Sequence, residues 1–245
     1  MKRILFIVGT HGNELAPLQL FYQYPYGRTE NTEWEVVVAN PDACLLNVRC
    51  INHDLNRIFG QPPQRGNEAL RARMLKKKIL DGKFDVVYDV HTSTEYKPNT
   101  WQHCAFINIK NTLNLSALEP LQMKHIIWDN DPKYNTQYTT SCHPVGITLE
   151  YQKFTDIGKT TDDILCDFDN IVQNVRNKTK RILYTADTPV THEDRLKYKL
   201  TFEDFRPLTV IEKNQLSLSS KERYVPVFTD IEFHQEYYCF LNKKV

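Results

Sequence analysis

The run Arg3-Ile4-Leu5-Phe6-Ile7-Val8 constrains this chain most, because of what comes directly after it. The run has strand length and β-branched character. Gly9-Thr10-His11-Gly12-Asn13-Glu14 follows, and Leu15 to Tyr22 then reads as a helix. A histidine and an acid thus stand where a strand turns into a helix, at the carboxyl end of the strand. Open α/β sheets bind ligands there. His-x-x-Glu in such a turn offers an imidazole nitrogen and a carboxylate oxygen to one metal, a set that suits zinc. The glycines let the backbone bend sharply and approach a ligand. The pair alone proves little, since unrelated surface residues at that spacing occur in most proteins.

The remaining segments extend the pattern. Glu33 to Ala39 reads as a second strand, stopped by Pro41, which cannot donate to a ladder. Pro41 to Leu46 reads as a short helical turn. Arg49 to Arg57 has no regular period and reads as a polar loop dense in functional groups. Asn67 to Leu80 reads as a helix with Asn67 as its N-cap, and its lysines Lys76 to Lys78 lie where the helix dipole favours them. Phe84 to Val90 is a strand that delivers His91. Cys104 to Ile109 is a further strand, and Leu113 to Leu121 a short helix. Val145 to Glu150 is a strand ending on a carboxylate, and Thr160 to Asn177 a long amphipathic helix. After residue 180 helical periodicity fades. Short alternating segments such as Leu196–Leu200 and Tyr224–Phe228 point to a small β-rich unit over 180–245. The expected fold is α/β, a mixed, mostly parallel sheet with helices on both faces, over residues 1–179, with the β-rich unit covering the site.

Composition narrows the function. The 245 residues carry a formal net charge of +1, so no global field draws nucleic acid or an anionic membrane. No apolar run approaches the roughly 20 residues of a membrane span, and the amino terminus is a strand rather than a leader. Six scattered cysteines without a Cys-x-x-Cys pair suggest reduced thiols in a cytoplasmic protein. The oligomeric state, self-association included, stays open.

Three strand ends now carry metal-type or acid–base residues: His11 with Glu14, His91, and Glu150. Three protein ligands with an open position is the pattern of a catalytic zinc. A carboxylate outside that set can serve as general base. Arg49 and Arg57 suit an oxyanion and a substrate carboxylate, because a guanidinium stays charged and binds two oxygens.

Gly9 to Glu14, Asn40-Pro41, Arg49, Asp54-Leu55-Asn56-Arg57-Ile58-Phe59, Asp89-Val90-His91 and Thr148-Leu149-Glu150, in this order, resemble the aspartoacylase and succinylglutamate desuccinylase family, which has a zinc carboxypeptidase-like fold. The likeness spans residues 3 to 152, and Val225 to Phe228 is similar to the family's closing β segment. It implies one zinc per chain, with His11, Glu14 and His91 as ligands and Glu150 as general base. It implies that Arg49 polarises the scissile carbonyl, that Asn56 and Arg57 grip the free α-carboxylate of an N-acyl amino acid, and that Asp54 braces the loop. Tyr134 matches a tyrosine near the substrate side chain. Two departures bear on specificity. Tyr138 stands where aspartoacylase has an arginine for the aspartate side chain, and Phe233 or His234, with Tyr237 and Tyr238 nearby, stands where its carboxyl-terminal segment supplies a tyrosine.

The expected activity is zinc-dependent hydrolysis of the amide of an N-acyl amino acid. The alternatives are a zinc carboxypeptidase acting on a short or cell-wall-type peptide, and a zinc-binding protein without turnover. His53, His103, His125 and His143 read as loop, surface or core histidines, and the cysteines beside the motifs as small apolar residues. Asp89, next to His91, reads as an orienter of a loop or a ligand ring.

Overall fold

The computed structural model describes residues 1–62, 65–93, 103–108, 115–129, 136–200, 206–227 and 237–244. The first half holds β1 (Lys2–Val8), α1 (Leu18–Gln23), β2 (Tyr26–Arg28), β3 (Thr32–Val38), α2 (Pro41–Leu46), α3 (Asn67–Asp81), β4 (Val86–Thr92) and β5 (Cys104–Asn108). The second half holds α4 (Leu115–Leu118), β6 (His125–Asp129), β7 (Gly146–Tyr151), α5 (Ile157–Val172), β8 (Ile182–Thr191), α6 (His192–Tyr198), α7 (Val210–Gln215), β9 (Tyr224–Val227) and β10 (Tyr237–Lys244). The strands form one sheet in the order β2-β3-β1-β4-β7-β5-β6-β8-β10-β9. β3, β1, β4 and β7 run parallel to their neighbours within that group, as do β5, β6 and β8. The β5/β7, β2/β3, β8/β10 and β9/β10 pairs are antiparallel.

The apolar run of β1 is unbroken because both of its faces are covered. Ile4, Phe6 and Val8 pack with Leu18 and Leu20 of α1 and with Ile164, Phe168 and Ile171 of α5. Leu5 and Ile7 face the other way, onto Leu55, Phe59 and Ala72, Leu75 and Ile79 of α3. Burying one such side chain contributes about 1.5–3 kcal/mol. Successive residues of one strand thus hold helices on opposite faces, which is the α/β layering expected.

Several boundaries differ from the periodicity. The first helix starts at Leu18, not Leu15, because residues 9–17 form the loop that carries His11 and Glu14. Gly66, at φ 106°, is the N-cap of α3, and Asn67 is its first helical residue. α5 begins earlier, at Ile157, where the Asp156 side chain accepts the Gly158 N–H at 2.9 Å. It ends earlier too, at Val172. Leu196 to Tyr198, which alternate like a strand, belong to α6. Thr191 and Asp194 close a capping box at its start, and that local chemistry overrides the alternation.

Residues after 180 supply β8, β9 and β10. These extend the main sheet through a parallel β6/β8 pairing and share a small core of Val190, Leu200, Leu208, Tyr224 and Leu241. Pro226 sits in β9, the edge strand, where a missing N–H is tolerated. Phe233 and His234 lie outside the described residues. Among the described residues, no helix is long and apolar enough to cross a membrane.

Candidate metal centre and active site

β1, β4 and β7 are neighbours and parallel, so their carboxyl ends share one edge of the sheet. β1 leads into the loop with His11 and Glu14. His91 and Glu150 lie opposite each other in the β4/β7 register. The chain passes from β1 to β3 on one side and later to β4 on the other, so the site sits where the strand order reverses. Gly9, at φ 62°, makes the turn out of β1.

The ligand atoms of His11, Glu14 and His91 all lie within 4.8 Å of one another, and all three residues are buried. Glu14 Oε1 is 2.7 Å from His11 Nδ1. Glu14 Oε2 is 3.0 Å from His91 Nδ1 and accepts the Thr92 backbone N–H at 3.0 Å. The two Nδ1 atoms are 3.2 Å apart. The outer ring nitrogens meet carboxylates. His11 Nε2 is 3.1 Å from Asp54 Oδ1, and His91 Nε2 is 3.1 Å from Asp89 Oδ2. The second contact is a charge contact rather than an aligned hydrogen bond, because neither atom meets hydrogen-bond geometry. Asp89 Oδ1 accepts from the Thr10 hydroxyl at 2.8 Å.

This arrangement fits a cation. A carboxylate at the outer nitrogen keeps the proton there and turns the Nδ1 lone pair inward. Two such lone pairs and a carboxylate then face one point, where they repel each other unless a positive charge sits among them. Without that cation a proton on His91 takes its place. Burial works against a charge on His91, but Asp89 and Glu14 outweigh it and raise its pKa well above the ordinary value. Burial would raise the Glu14 carboxyl, yet His11 and His91 hold it well below the usual carboxylate range. The nitrogen and oxygen donors are those that zinc accepts.

The loop after α2 stands against this cluster. Asp54 caps the 3₁₀ turn Leu55–Arg57, its Oδ1 accepting the Asn56 N–H at 2.9 Å. Its Oδ2 accepts Arg49 Nε at 3.2 Å and Nη2 at 2.8 Å. Arg49 Nη1 lies 4.0 Å from Glu14 Oε1, so the guanidinium borders the ligand set. Burial would raise the Asp54 carboxyl, but His11 and Arg49 overcome that and keep it ionised. Asn56 Oδ1, the side-chain amide oxygen, accepts the Thr139 N–H at 2.9 Å and the Thr139 hydroxyl at 3.3 Å. With its oxygen doubly engaged, Asn56 has its amide N–H groups left to donate. Arg57 lies with its guanidinium carbon 5.2 Å from the centre of the Tyr138 ring.

Glu150 keeps some exposure, yet enough protein surrounds it that burial pushes its carboxyl up to about 7, with the Glu14 charge adding to the effect. The structure therefore brings together His11, Glu14, His91, Arg49, Asp54 and Glu150, and seats Asn56, Arg57 and Tyr138 together beside Asp54. Tyr134 lies outside the described residues.

Reading by residue type missed two contributors. Thr139 fixes the Asn56 amide, but a threonine in an irregular segment carries no signal. Glu68 matches a helix dipole from its position, whereas its carboxylate is buried against the loop of Arg49.

Residues 1–178 match the catalytic domain of succinylglutamate desuccinylase and aspartoacylase. The chain belongs to that family. Its members are hydrolytic deacylases. A protein of Prochlorococcus marinus (strain MIT 9301) named probable aspartoacylase is 36% identical over 222 residues, which cover 82% of this chain and 65% of that protein. Matches to other curated relatives span as little as 34% of their length. Murine aminoacylase 3 superposes with a TM-score of 0.72 at 20% identity, covering 100% of this chain and 95% of that one. Succinylglutamate desuccinylase from Chromobacterium violaceum gives 0.71 at 19%, covering 100% and 85%. At these identities the structural likeness speaks for the fold.

Proposed function

We propose that this chain is a zinc-dependent hydrolase of N-acyl amino acids, with His11, Glu14 and His91 holding one zinc. The observation that carries the reading is the cluster itself: three buried donors within 4.8 Å, two of them backed by carboxylates. Zinc, when bound there, supplies Lewis acidity and lets water act as a nucleophile near neutral pH. The residues around it divide the rest of the work. Glu150, on the strand beside His91, takes the proton of the attacking water and returns it to the leaving amine. Arg49 faces the charge that develops on the carbonyl oxygen, held for that task by two bonds to Asp54. Asn56 and Arg57 present only donors and grip the free carboxylate of the amino acid.

A panel of N-acyl amino acids and dipeptides, assayed with and without zinc, tests the proposal. Zinc-dependent release of a carboxylic acid from N-acyl amino acids is the expected result. Preferential cleavage of dipeptides would make the chain a carboxypeptidase, and no turnover of any member would make it a binding protein.

A further inference from the structure

Glu68 has no part in the chemistry above, yet its side chain is fully buried in the first turn of α3. A carboxylate taken out of water needs donors for its oxygens. Glu68 has three. Oε1 accepts the Ile51 backbone N–H at 2.7 Å and Asn40 Nδ2 at 3.2 Å, and Oε2 accepts the Asn52 backbone N–H at 3.2 Å. Ile51 and Asn52 lie between Arg49 and Asp54, in a stretch that forms neither helix nor strand. Such a stretch has no ladder of its own, so its position depends on partners like these.

The same carboxylate reaches the metal loop through Asn40. The Asn40 backbone N–H donates to the Gly9 carbonyl at 3.1 Å, and the Gly12 N–H donates to the Arg49 carbonyl at 3.2 Å. A second brace runs alongside, where Asn52 Oδ1 accepts the Asn67 N–H at 3.3 Å. Gly66, at φ 106°, sits in backbone that other residues rarely adopt, and its open face gives room to the Asn52 amide.

We propose that Glu68 is a positioning residue for Arg49, setting the distance between the loop of Arg49 and the loop of the metal ligands. The inference rests on the deacylase reading above and on the part Arg49 plays in it. Glu68→Gln separates the two ties. The glutamine oxygen still accepts from Asn40 and Ile51, but its NH₂ meets the Asn52 N–H, donor against donor. The metal loop keeps its anchor and the Arg49 loop loses one.

The test is a double-mutant cycle on kcat, with zinc content measured on each variant. Glu68→Gln should lower kcat about tenfold or more, leave KM within about twofold, and keep one zinc per chain. In an Arg49→Ala background the same change should alter kcat by less than about twofold, because the path it acts through is already gone. A full additional drop in that background, or loss of zinc from Glu68→Gln alone, overturns the inference and leaves the deacylase reading intact. An Arg49→Ala variant with unchanged kcat overturns the role of Arg49 and the inference together. Should Glu68→Gln fail to fold, Glu68→Asp, one methylene too short to reach both loop amides, enters the same cycle with the same two outcomes.

Discussion

Asp89 shows how one side chain acts through another. It is fully buried, takes the Thr10 hydroxyl on one oxygen and faces His91 Nε2 with the other. Asp89→Asn should keep the fold and weaken zinc binding about 10–100-fold, the usual effect of losing such a partner. Competition with a chromophoric chelator measures this, and unchanged affinity would remove Asp89 from the metal centre. Asp167 is a separate case, remote in role from the chemistry. Its oxygens accept the Gln122 N–H at 2.8 Å and the Tyr151 hydroxyl at 3.0 Å. Burial nevertheless pushes its carboxyl up to about 6 from an ordinary 3.8. The folded state then binds the proton more tightly than the unfolded one. Its contribution to stability is fully present below about pH 4 and is lost as pH rises through about 6, about 2–3 kcal/mol in all. Asp167→Asn, whose NH₂ can donate to the Tyr151 hydroxyl, should flatten this part of the profile and raise stability at pH 8. Denaturant melts at pH 5 and pH 8 decide, and a parallel loss in both proteins would contradict the assignment.

At the scale of elements, the core of the fold was legible because β1 is apolar on both faces and the histidines and glutamates stand at strand ends. Those signals are local in sequence. The parts that were not legible depend on distant partners. β6 and β8 are neighbours in the sheet but far apart in sequence, and His125–Asp129 alone does not distinguish a strand from a buried helical segment. Leu196–Leu200 alternates, yet the Thr191–Asp194 cap starts a helix that takes in Leu196 to Tyr198. Glu68 looks like a residue for the helix dipole until the loop packed on it is seen. The metal loop gives a prediction at this scale. A Cβ on Gly12 would sit 2.1 Å from the backbone carbonyl carbon of Ala43 in α2, which cannot move aside like a side-chain tip. Gly12→Ala should cost about 1–3 kcal/mol of stability and lower zinc occupancy together. A variant with wild-type melting and full zinc would show that α2 yields freely.

For the molecule as a whole, the proposed deacylase reading leaves the choice of substrate to this chain's own residues. The relatives named probable aspartoacylase carry a name that points to aspartate. By the sequence resemblance Tyr138 takes the place of an arginine of aspartoacylase, and in the structure its ring lies against Arg57. A phenol offers one donor and a broad apolar face. With Arg57 engaged by the α-carboxylate as proposed, an acidic side chain there has no cation of its own, which costs about 1–3 kcal/mol. N-acetylaspartate should therefore have a kcat/KM about tenfold or more below those of neutral N-acyl amino acids. A higher value for N-acetylaspartate would mean that another basic residue reaches the pocket. The metal is the centre of the proposed function. Zinc titrated into chelator-stripped protein, with hydrolysis of an N-acyl amino acid followed at each addition, should raise the rate from near zero to a plateau at one zinc per chain. Full activity in the stripped protein, or no hydrolysis at the plateau, would contradict it.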